Sequence, residues 1–199
     1  MTMSCKTRRT RGRAAGGCKP GDSLGSHPTL EIIVRDYVAL HRAKANDELT
    51  AFRNEPSLKA ALERAGMAKR PDGKRYDHQR RLPAVVLRAA TAELLRAPLT
   101  AANDFNDLHR RVKNAIISIR GVGELMIYDT SLRVGAKLGL LPERVYLHSG
   151  TRQGARALGL NWRAEYLEVR ECPREFHVLA PHEIEDCLCI YKYWLKPCV

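Results

Sequence analysis

Aromatic side chains are scarce in this chain, with three Phe, two Trp and seven Tyr among 199 residues. A pocket walled by aromatics, of the kind that grips a flipped nucleobase, has few residues to draw on. No apolar run approaches 18 residues, so no membrane-spanning helix is expected. The N-terminus is basic but lacks an apolar h-region, which argues against a secretory signal. Six cysteines occur without a Cys-x-x-Cys pair. Cys172, His177, His182, Cys187, Cys189 and Cys198 gather near the C-terminus, but their spacing does not suit a tetrahedral zinc site. A chain of this length buries a core without disulfide staples, so free thiols in a reducing cytoplasm are expected, with no metal and no cofactor. No clean repeat and no coiled-coil heptad is visible.

Basic charge is abundant. Lys and Arg number 34 against 22 Asp and Glu, a formal net charge of +12. Residues 1–27 hold six basic side chains against Asp22, a net of +5, which leaves +7 for the rest. The tail is rich in Arg, Gly and Ser and cannot bury enough surface to offset ordering entropy, so it reads as disordered. Residues 28–199 read as a single domain that is basic in its own right. The balance points to an anionic partner, with nucleic acid first, DNA before RNA, and no membrane. A protein partner is the other class the composition allows.

The hydrophobic pattern predicts a mainly α fold of several helices, with at most one short strand pair near the C-terminus. Leu30, Ile33, Val34, Tyr37, Val38 and Leu40 step by three and four, predicting helix over about 28–54. Pro56 and Gly66 bracket a short helix. Residues 77–97 read as helix with Pro83 marking a kink or a later start. Phe105, Leu108, Val112, Ala115, Ile116 and Ile119 keep helical spacing over 100–119, with Thr100 as the expected cap. Leu125, Tyr128, Leu132 and Ala136 continue a second helix to Leu138, stopped by Gly139. A third begins near Ser149 and ends at Gly159. Residues 165–170 suggest a short strand or a helical turn, and 181–195 a final helix. Trp162 and Trp194 read as packing anchors.

The sharpest signal lies between the two central helices, where Ile119-Arg120-Gly121-Val122-Gly123-Glu124-Leu125 places two glycines one residue apart. Glycine lets backbone approach a ligand closely. The first N–H groups of the following helix lack intrahelical partners and, with the helix dipole, favour an anion. Ile119, Gly121, Val122 and Gly123 resemble the turn of the helix-hairpin-helix motif of DNA repair and replication proteins. The resemblance spans about 105–139, roughly a fifth of the chain, within a helix-hairpin-helix element at about 100–139. Ile127 departs from it, since the family usually carries alanine there. The resemblance implies sequence-independent binding of DNA through backbone phosphates. Gly121, Val122 and Gly123 would donate main-chain N–H groups, and Arg120 and Arg133 would add charge. Ser149-Gly150-Thr151-Arg152-Gln153-Gly154 offers a second phosphate contact, bringing in Arg152 and Arg156. Lys69, Arg70, Lys74, Arg75, Arg80, Arg81 and Arg88 would widen the basic surface.

The same family includes base-excision DNA glycosylases, and Asp129-Thr130-Ser131-Leu132-Arg133-Val134 is similar to their catalytic-aspartate stretch. Asp129 is thus the single catalytic candidate. Two departures weigh against catalysis. Asp129 falls six positions after Gly123, inside the second hairpin helix rather than beyond it. Glu124, Leu125 and Met126 stand where the lyase lysine is expected. DNA binding without catalysis is therefore the leading expectation. The alternatives are a glycosylase-like enzyme centred on Asp129 and a helical protein-interaction module.

Overall fold

The computed structural model describes residues 28–195, so the basic tail 1–27 and the last four residues, Cys198 among them, lie outside the described residues. Within that span the chain is mainly helical, with eight α-helices and one antiparallel strand pair.

The first helical stretch is broken in two. Helix α1 (Leu30–Leu40) starts on Thr29, whose hydroxyl accepts from the Ile32 N–H, and ends at His41 with φ −120°. Helix α2 (Arg42–Arg53) follows at once. The break has a packing reason. α1 buries Leu30, Ile33, Val34 and Tyr37 in one core, whereas α2 buries Leu49 and Phe52 in another. A straight helix cannot serve both cores, and the bend at His41 redirects it. α3 (Leu58–Gly66) follows, capped by Ser57.

The expected helix over 77–97 begins later. Pro83 has no N–H to give, and α4 (Ala84–Arg96) starts just after it. Residues Asp77–Gln79 form only a 3₁₀ turn. The next start also moves. Thr100 sits in a 3₁₀ turn, and Asp104 caps α5 (Phe105–Ile116) by accepting the Asp107 N–H at 2.7 Å. A carboxylate there also suits the helix dipole.

α6 (Glu124–Leu138) is stopped by Gly139 at φ +77°. β1 (Val145–Tyr146) pairs antiparallel with β2 (Tyr166–Leu167), Val145 opposite Leu167. Between them lies α7 (Ser149–Ala157). α8 (Pro181–Ile190) ends five residues earlier than the pattern suggests, and the chain leaves it through Tyr191.

Two cores result. In the first, α2 to α6 meet around Phe52, Leu62, Leu94, Leu108 and Val112. In the second, α1, β1, α7, β2 and α8 meet around Ile33, Tyr37, Val145, Phe176 and Leu188. Phe105, Tyr128 and Tyr146 form a small aromatic cluster of their own. Ile127, at the departure from the family pattern, is buried in the first core.

Candidate functional site

The hairpin comes first. α5 and α6 pack against each other, joined by residues 117–123. The Val122 N–H donates to the Ile119 carbonyl at 3.0 Å, closing the turn. Gly121 holds φ +102°, a conformation that strains any residue with a Cβ. Gly123 is the N-cap of α6, so the cap residue offers no side chain to that helix start. Ile127 is the first residue to bond back into the helix, to the Gly123 carbonyl at 3.1 Å. The N–H groups of Glu124, Leu125 and Met126 precede that bond and are the intrinsic anion-facing donors. Gly121, Gly123 and Arg120 are exposed, and Val122 is half-buried.

The arginines divide. Arg152 reaches the hairpin: its guanidinium grips both Glu124 oxygens at 3.0 and 3.2 Å, and also donates to the Trp162 and Ala164 carbonyls. Arg156 is exposed and lies over the Trp162 ring at 5.5 Å. Arg133 does not face the turn. It is 2% exposed and bonds Glu48 at 2.8 Å and the Gln79 side-chain oxygen at 2.9 Å. Asp129 lies 3.6 Å away, and the Tyr76 ring stacks beneath its guanidinium at 3.8 Å. A charge so deeply buried is held by its partners, and Arg133 belongs to the interior, not to a phosphate surface.

The glycines of α7 also have a different use. A Cβ on Gly154 would stand 2.1 Å from the Leu188 carbonyl oxygen, and one on Gly150 would stand 2.6 Å from the Cys189 sulfur. These glycines, one turn apart, let α7 lie directly on α8. That contact brings His148, just before α7, against Glu185 on α8.

The result is a pocket of about 320 Å³ lined by residues of helices that serve both cores. Leu125 and Asp129 come from α6, His148 from the α7 start, and Glu185 and Asp186 from α8. His41, Lys44 and Glu48 come from the α1–α2 bend, and His78 from the 3₁₀ turn. Two imidazole–carboxylate pairs stand in it. His78 Nε2 lies 2.6 Å from Asp129 Oδ2, with the His78 side chain 46% exposed. His148 Nε2 lies 2.5 Å from Glu185 Oε1, both buried. The Tyr37 hydroxyl donates to Asp186 at 2.9 Å.

The charges follow from these neighbours. Burial opposes ionisation of Asp129, yet Arg133 and His78 outweigh it and hold the carboxyl below its ordinary range. Burial opposes the His148 cation, and the Glu185 carboxylate reverses that and raises it. Burial also raises Glu185 against the pull of His148. The buried pair therefore holds its proton more tightly than either group does alone. Asp186 is raised well above its ordinary value by burial and by Glu185. Burial pushes the Cys189 thiol up to about 12. His148 Nδ1 is buried with no hydrogen-bond partner.

Sequence reasoning missed His78, His148, Glu185 and Asp186. No local motif marks them, because each pair joins residues far apart in the chain. Among the described residues, no group of three His, Cys, Asp or Glu side chains is arranged to hold a metal ion. Comparison of the chain with protein-family models, curated proteins and solved structures finds no match.

Proposed function

We propose that the chain binds DNA through backbone phosphates, using the α5–α6 hairpin as a helix-hairpin-helix element. The observation that carries this reading is the exposed Gly121–Gly123 turn at the start of α6, which has no N-cap side chain, beside exposed Arg120. Phosphate oxygens would satisfy the free N–H groups without reading bases. The net charge of +12 favours the same partner. Arg152 stands beside the turn but its charge is engaged by Glu124, and Arg156 is a more distant contributor.

Gly121→Val with Gly123→Val tests this. A charge-assisted hydrogen bond is worth about 1.5–3 kcal/mol, so duplex affinity should fall at least about tenfold, read at a temperature where the helical spectrum shows the strained variant folded. Unchanged affinity in a folded double variant would remove the hairpin from the interface. The glycosylase reading needs a carboxylate free to face the sugar. Asp129 Oδ2 is engaged by His78 and Arg133, which favours binding over that chemistry.

A further inference from the structure

The density of ionisable groups between the two cores asks for an explanation that phosphate binding at the hairpin does not supply. We propose that the pocket is a hydrolytic site in which His78, aligned by Asp129, takes the proton of an attacking water, its substrate being a phosphodiester of the strand held at the hairpin. This rests on the DNA-binding reading for its substrate.

Geometry gives the roles. Asp129 is ionised and accepts from His78 Nε2–H across 2.6 Å. That bond fixes the tautomer and leaves the lone pair on Nδ1. Arg133, itself buried, anchors Asp129 from behind. His78 is thus a half-exposed base with a half-buried orienting carboxylate, an arrangement suited to general-base catalysis. The nucleophile is water, because the Cys189 thiol stays protonated at neutral pH.

A second, independent observation points to a ligand. His148 is 2% exposed and lines the pocket, and its Nδ1 has no partner. A buried polar atom without a partner is costly. Lys44, exposed on α2, adds a cation at the same pocket. The hairpin supplies the strand: Leu125 lines the pocket two residues after Gly123. Asp129 lies six residues along α6, about 9 Å of helical rise. The distance from the turn to the pocket is therefore one that a few nucleotides of strand would span.

In the reaction the water oxygen bonds to phosphorus and its proton passes to His78 Nδ1. The bond from phosphorus to one sugar oxygen breaks with its electron pair, and solvent protonates that oxygen. One phosphate end and one hydroxyl end result, with no change of oxidation state.

The test incubates the full chain with 5′-labelled single-stranded and duplex DNA, resolves the products on denaturing gels, and measures binding by anisotropy in parallel. Wild type should cut the strand. His78→Ala should slow cutting about 10²- to 10⁴-fold with affinity within about twofold of wild type. Asp129→Asn, which acts through His78, should shift the pH profile as well as lower the rate. Binding without cutting by wild type overturns the hydrolytic site and leaves the hairpin reading standing. Release of free base from an uncut strand overturns it in favour of glycosidic chemistry. Neither binding nor cutting overturns both readings. Cutting at an equal rate by His78→Ala overturns the role of His78.

Discussion

Replacing Arg133 with methionine separates an interior role from a phosphate-binding one. The guanidinium is nearly inaccessible and serves four neighbours: Glu48, Asp129, the Gln79 side chain and the face of Tyr76. Methionine keeps much of the volume and loses the charge. Glu48 and Asp129 are then left close together without their shared cation. Breaking a buried pair by removing one partner costs about 3–5 kcal/mol. Against a typical total of about 5–15 kcal/mol, that is a large share. For a domain of this size, each 1 kcal/mol lowers Tm by about 2–4 °C, so a fall of about 6–20 °C is expected. Urea or thermal unfolding by circular dichroism reads it. Affinity for DNA, measured where the variant is still folded, should stay near wild type. A variant as stable as wild type that has lost DNA affinity would refute the reasoning and return Arg133 to the phosphate surface.

Two further outcomes follow from the packing and the buried histidines. Gly154→Ala should destabilise the fold by more than about 2 kcal/mol, since its Cβ would press on the Leu188 backbone at 2.1 Å; a melting curve within error of wild type would show that α7 and α8 separate freely. His109 donates from Nδ1 to Ser131 Oγ at 3.2 Å, because the Ser131 hydroxyl hydrogen is already given to the Ile127 carbonyl. Burial lowers its pKa to about 4. The unfolded chain takes up this proton near the ordinary value of about 6.5, so stability falls as pH drops from there towards 4, by up to about 3 kcal/mol. His109→Gln should flatten that part of the stability–pH curve, leaving the smaller contributions of His41 and His182, which burial also lowers; an unchanged slope would contradict the assignment.

Much of the helical framework is legible in the sequence because its signals are local. Gly139 ends α6 as its conformational freedom suggests, and the 3.6-residue steps from Phe105 to Ile116 mark α5. The misplaced starts have local causes too. Pro83 and Asp104 determine where α4 and α5 begin, and both compete with plausible neighbours. The bend at His41 is not legible, since it answers to two cores rather than to its own sequence. Two features of α6 and α7 do carry a local signal. Asp129 and Arg133 stand four apart on one helix, where opposite charges pair. Gly150 and Gly154 also stand four apart, a spacing that suits close helix contact as well as an anion. The pocket itself was out of reach of local reasoning. His78 meets Asp129 across 51 residues and His148 meets Glu185 across 37, and only the docking of the two cores brings those pairs together.

The most direct measurement is fluorescence anisotropy of the full chain on a labelled duplex across a salt series, for wild type and Arg120→Gln. Wild-type affinity should fall linearly and steeply on a log–log plot, as phosphate contacts displace counterions. Arg120→Gln should reduce the slope by about one. Binding no tighter than that of an unrelated basic protein, or a slope that Arg120→Gln leaves untouched, would contradict phosphate recognition at the hairpin.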